Sequence, residues 1–153
     1  MQLSLKTPSK SEQAAYVATA IESARNGPPS YEGSLDPTGS TVFYHSTSHG
    51  ALERYADLKA QGWTLIHEIP VMTKGIFDFS ARKPDAVFAL DIPQIETRAI
   101  AAYLAGIARH NAQIERQQRD DAEVLQEFER REALRKAKVI EDIKASRKGS
   151  LHI

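Results

Sequence analysis

Residues 93–148 read PQIETRAIAAYLAGIARHNAQIERQQRDDAEVLQEFERREALRKAKVIEDIKASRK, and this stretch decides the architecture. After Pro93 it holds no further Pro and one Gly, Gly106. It is dominated by Ala, Leu, Glu, Lys, Arg and Gln, all strong helix formers. Pro93 suits the first turn of a helix, where its missing N–H costs nothing. As one helix the stretch would run ~84 Å. A compact unit built from the residues before it would be only ~30 Å across. The expectation is an α+β protein with a compact head over residues 1–92, a long C-terminal helical arm over 93–148 and a tail over 149–153.

The arm divides into three parts. Ile95 to Ile114 is Ala-rich, with Ile100, Leu104, Ile107 and Ile114 at helical spacing, and is expected to pack on the sheet of the head. Glu115 to Glu123 is almost wholly polar. Val124 to Ile143 regains apolar positions at Leu125, Phe128, Ala137, Val139, Ile140 and Ile143, with Leu134 on the opposite side. A strict heptad would place Asn111, Gln118 and Asp121 in its seam, which argues against a long regular coiled coil. Charge is polarised: residues 115–129 carry six acidic and two basic side chains, residues 130–148 eight basic and three acidic.

Upstream, Ser9-Lys10-Ser11-Glu12 fits a capping box. Ala14, Val17, Ile21 and Ala24 follow at helical spacing, and Asn26-Gly27-Pro28-Pro29 closes the segment, so the spacing predicts a helix over Lys10 to Asn26. Gly27 to Ser40, rich in Pro, Gly and Ser, is predicted as a loop. Thr41 to His45 reads as a strand. A short helix is predicted over His49 to Gln61, with Ala51, Leu52, Tyr55 and Leu58 as its buried stripe and Gly62 as its end. Trp63 to Val71, Ile76 to Ala81 and Ala86 to Leu90 read as three further strands, with turns at Lys74-Gly75 and Lys83-Pro84-Asp85. Short turns predict a small antiparallel sheet. The second of these strands sets Phe77, Phe79 and Ala81 on one face, and the first sets Leu65, His67 and Ile69 together.

Composition narrows the function classes. Of 153 residues, 20 are Lys or Arg and 20 Asp or Glu, so the formal net charge is zero, which disfavours a whole surface built to grip nucleic acid. There is no cysteine, which removes disulfides, thiolate zinc sites and cysteine nucleophiles. No apolar run approaches a membrane span, and Met1 to Lys6 lacks the layout of a signal peptide. A cytoplasmic protein, or one carried inside a larger assembly, is expected.

Chemistry-bearing residues are sparse. His45 and His49 flank a strand–helix junction without a third ligand, so no metal is expected. His67 and Glu68 are adjacent and would point to opposite faces of a strand. No phosphate-binding glycine loop or paired-carboxylate arrangement is present, and no cofactor is expected. One resemblance stands on quoted residues. Val42-Phe43-Tyr44-His45-Ser46-Thr47-Ser48, followed by Ala51-Leu52, Leu58 and Gly62, resembles the opening motif of ADP-ribosyltransferase-like folds. There a strand ends in Tyr-His-Gly-Thr and a short helix ends in Gly. The resemblance implies that His45 and Thr47 contact a bound nicotinamide dinucleotide. It covers about 20 of 153 residues. Ser46 stands at the family's Gly, and the family's late acidic residue falls where this chain has its polar helix.

The function expected from the residues is a non-enzymatic interaction or assembly module acting through the arm. Compact heads with a long charged helix are common among small accessory proteins of bacteria and bacteriophages. Leu125, Phe128, Val139, Ile140 and Ile143 are the expected apolar contacts, with Arg130, Arg131, Arg135 and Lys136 supplying charge to a protein partner or a homodimer. The basic residues from Arg130 to Lys148 also allow weak, non-specific nucleic-acid binding. No membrane association is expected.

Overall fold

The computed structural model describes residues 4–66, 71–73 and 75–150. The chain is α+β. In order it forms α1 (Lys10–Asn26), β1 (Ser30–Tyr31), β2 (Ser40–His45), α2 (Ser48–Ala60), β3 (Thr64–Leu65), β4 (Val71–Thr73), β5 (Ile76–Arg82) and α3 (Asp85–Ser150). With 17, 13 and 66 residues, the helices hold more than half of the chain.

Local chemistry sets the helix ends. The Ser9 hydroxyl accepts from Glu12 N, as a capping box requires. The reciprocal half is replaced: Tyr103 Oη accepts from Ser9 N at 3.1 Å and donates to Glu12 Oε2 at 3.2 Å, so a tyrosine hydroxyl stands between the amide and the carboxylate. Thr47 caps α2 by accepting from Gly50 N at 3.0 Å. Gly62, at φ 92°, closes α2. Gly62 N donates to Lys59 O and Trp63 N to Leu58 O, the two bonds of a Schellman motif.

The sheet runs β1-β2-β5-β3, with β4 pairing β5 as well. β2 lies antiparallel to β5, Phe43 opposite Phe79 and His45 opposite Phe77. The expected all-antiparallel sheet is corrected at one edge. Ser30 and Tyr31, inside the predicted loop, pair with Thr41 and Val42 in parallel, so the sheet is mixed. Ser30 is held there by Oγ bonds to the Ser40 carbonyl and from Thr38 N, a contact that periodicity does not reveal.

The segment from Trp63 to Val71 is a strand only at Thr64–Leu65 and again from Val71. His67, Glu68 and Ile69 lie outside the described residues. Ala86 to Leu90 is corrected outright. It is helical, because Pro84 O accepts from both Val87 N and Phe88 N and opens α3 eight residues before Pro93. Pro93 is therefore interior to α3 rather than in its first turn. The helix also includes Gly149 and Ser150, which the sequence places in the tail.

The core forms on one face of the sheet. Phe43, Phe79 and Ala81 meet Ala51 and Leu58 of α2, with Tyr55, Trp63, Leu65 and Phe77 packed around them. Phe43 stacks on Phe79 at 5.3 Å and meets Trp63 edge-on at 5.6 Å. Leu52, expected in the α2 stripe, is exposed instead.

The chain forms two compact units, one of residues 7–106 and one of residues 1–6 with 107–153. Within the first, the early part of α3 does not lie chiefly on the sheet, as expected of Ile95 to Ile114. Tyr103 meets Tyr16 of α1 at 5.8 Å, and Ile95, Ala99 and Ala102 line one hollow with Tyr16, Ala20 and Ala24. Within the second, the Asn111 side chain accepts from Lys6 N at 2.8 Å and donates to Lys6 O at 2.9 Å. That clamp accounts for a polar residue the heptad reading would have put in a seam.

Candidate interaction surface

α3 carries all nine candidate contact residues, and each is exposed. The apolar ones keep half or more of their surface: Leu125 58%, Phe128 61%, Val139 50%, Ile140 53% and Ile143 51%. Val124 at 70% and Leu134 at 59% belong with them. Isolated exposed apolar residues are ordinary, but seven large ones within twenty residues of a single helix form a surface that demands a reason.

The flanking charges are organised along the helix. Arg130 donates Nε and Nη2 to the two Glu127 carboxylate oxygens, both at 2.8 Å, and Arg131 Nε donates to Glu127 Oε1 at 2.7 Å. The two guanidiniums, Arg130 foremost, hold the Glu127 carboxyl below the usual glutamate range. Arg135 lies 3.5 Å from Glu132 one turn back. Three of the eight basic groups that could meet phosphate thus already have carboxylates beside them.

The β2–α2 junction brings the Tyr44–Ser48 motif to one place. The His45 ring lies nearly parallel to Phe79, centroids 6.1 Å apart. A Cβ added at Gly50 would lie 3.7 Å from its Nδ1. His45 Nε2 is buried and, among the described residues, has no hydrogen-bond partner. Thr47 is occupied as the α2 cap, and His49 lies 3.0 Å from Glu53 one turn on. Tyr44, opposite Asp78 in the ladder, stacks on Tyr31 at 5.8 Å on the sheet's other face. Desolvation, then Tyr31, and then Asp78 raise its phenol pKa. The faces alternate along β2, so His45 and Tyr44 do not converge on one reacting atom.

A cavity of about 260 Å³ lies where β1 and β2 meet Trp63 and the start of α3. Tyr31, Phe43, Trp63, Val87, Arg54 and Lys83 are among its lining. Its charges are matched internally: Lys83 Nζ bonds Asp91 at 2.6 Å and Arg54 bonds Glu32 at 2.5 Å. Its four charged side chains, Glu32, Arg54, Lys83 and Asp91, are thus paired among themselves. Nothing local in the chain marks the cavity, because its walls come from five separate segments. Among the described residues no group of three His, Asp or Glu could hold a metal ion, and no helix is long and apolar enough to cross a membrane.

Comparison of the chain with protein-family models, with curated proteins and with solved structures gives no match.

Proposed function

We propose that this protein is a non-enzymatic interaction or assembly module, of the small accessory kind, whose working surface is α3 from Leu125 to Ile143. One observation carries the reading: Leu125, Phe128, Val139, Ile140 and Ile143 are all half exposed or more on one continuous helix. Burying each such side chain is worth ~1.5–3 kcal/mol, so a partner that covers them gains a large driving force. Arg130, Arg131, Arg135 and Lys136 supply the polar rim that orients the partner. A cytoplasmic setting, or the inside of a larger assembly, suits a chain without cysteine. The test compares the full chain with Phe128→Asp and with a chain ended after Ile114. Self-association is read by light scattering from micromolar to several hundred micromolar, and partner capture on immobilised protein. Both changes should abolish whichever association the unaltered chain makes. Association that survives both would return the working surface to residues 7–106.

A second reading rests on His45 Nε2, which is buried and without a hydrogen-bond partner among the described residues. It makes the Tyr44–Ser48 junction a nicotinamide-dinucleotide site. A thermal shift at millimolar dinucleotide that His45→Ala removes would support it, since a ligand bound to the folded state raises the melting point. No shift at that concentration would end it.

A further inference from the structure

Resting on the reading of α3 as the working surface, we propose that its occupant is a second copy of the same chain. The two copies run antiparallel over Asp121–Ser146, about a two-fold axis between Ala133 and Leu134. At ~100° per residue, Asp121, Leu125, Phe128, Glu132, Arg135, Val139, Asp142 and Ser146 follow one seam at alternating four- and three-residue spacing. Leu125, Phe128 and Val139 in that seam keep half or more of their surface exposed.

Charge decides the direction. A parallel pair in register would set Glu132 on Glu132, Arg135 on Arg135 and the acidic half of the arm on another acidic half. Reversed about that axis, residues 121–133, with five acids and two bases, face residues 134–146, with four bases and two acids. Apolar matching then decides the register. With the axis between Ala133 and Leu134, Phe128 meets the second copy's Val139 and Glu132 meets the second copy's Arg135, each pair occurring twice. On the flanks Glu129 comes beside the second copy's Lys136, and Ala122 beside its Ile143. Sliding one heptad one way puts Phe128 on Glu132, and sliding it the other way puts Glu132 on Asp142. The chosen register has three costs: Arg131 approaches the second copy's Lys138, Leu125 faces Asp142, and Ile140 stays outside the contact. These keep the contact reversible.

The seam partners can be tested across chains. In the folded chain Glu132 and Arg135 also pair with each other at 3.5 Å. Glu132→Arg and Arg135→Glu each break that internal pair, and mixing the two variants cannot repair it. Each variant alone should self-associate about tenfold more weakly, since like charges then face each other, while an equimolar mixture should recover association as a heterodimer. Because the chain has no cysteine, disulfides report geometry cleanly. Full-length Phe128→Cys mixed with Val139→Cys should cross-link under mild oxidation, and each alone should not, because identical positions would sit ~16 Å apart along the axis. Cross-linking of either variant with itself would overturn the antiparallel register. A chain monomeric at every concentration would overturn the second copy as occupant. In that event, partner capture that still depends on Phe128 would leave the contact surface itself standing.

Discussion

Gly39 ties three segments together through its backbone. Its N–H donates to Ala24 O at the end of α1, and its carbonyl accepts from Lys83 N just before α3, both at 2.8 Å. A Cβ built there would lie 2.2 Å from the Arg25 carbonyl oxygen. Backbone cannot step aside as a side chain can, so Gly39→Ala should cost about 1–3 kcal/mol, the usual penalty for forced overpacking. Urea unfolding followed by circular dichroism measures it, and an unchanged midpoint would mean that the α1–Lys83 tie is looser than drawn. At this scale the sequence was legible wherever the cause is local. Ser9 and Gly62 end their helices as expected, because caps need only the next few residues. Gly39 reads only as part of a loop, and nothing local marks Tyr103, since their partners lie far along the chain. The burial of His45 Nε2 was equally invisible, because the exposure of one ring atom is set by packing in three dimensions.

The reading of Ala86–Leu90 as a strand fails for a reason specific to elements. Five apolar residues after a turn carry no period of their own. Only with the next ten residues does the spacing Phe88, Ile92, Ile95, Ala99 show itself as helical, and Phe88, Ile95 and Ala99 are the ones buried. Pro93 is then an intruder inside α3. It has no N–H to give the carbonyl four residues earlier, and only its own carbonyl is used, accepting from Thr97 Oγ1 at 2.9 Å. Pro93 is exposed, so Pro93→Ala should stabilise the protein, by up to ~3 kcal/mol if the helix accepts the restored bond. A lower melting temperature would show that the ring is required where it stands. Further along, Glu127 sets a pH dependence. Its carboxyl is held low by Arg130 and then Arg131, so the ionised form is favoured in the folded helix. The contribution is present above the ordinary glutamate range and lost as pH falls through the lowered midpoint. A carbon-detected NMR titration should place the Glu127 midpoint below that of a free glutamate, and Arg130→Ala should move it back up. Equal midpoints in the two proteins would remove the Arg130 fork as its cause.

At the scale of the whole molecule, the α+β class and the long C-terminal helix were legible, because some fifty residues of strong helix formers broken by a single Gly can hardly do anything else. The exposure of Leu125, Phe128, Val139, Ile140 and Ile143 follows from the same length of helix, which outruns what the sheet could cover. The mixed sheet and the cavity beside Trp63 were not legible, since both are made by segments that meet only in three dimensions. The core has a further consequence. Phe43, Ala51, Leu58, Phe79 and Ala81, with Phe88, Ile95 and Ala99, all lie within residues 7–106. No residue of 115–150 is in that core, so its stability should not depend on them. Trp63, the lone tryptophan, packs edge-on against Phe43 and reports directly on the core. A chain ended after Ile114 should therefore melt, by Trp63 fluorescence at micromolar concentration, within a few degrees of the full chain, well inside the ~4–8 °C that 1 kcal/mol is worth in a domain this size. Phe43→Ala, by contrast, should cost about 3–5 kcal/mol, as a buried ring removed from a packed core does. A shortened chain whose Trp63 already emits as in urea would place the folding determinants of the sheet in residues 115–150, and α3 would then be scaffold before it is surface.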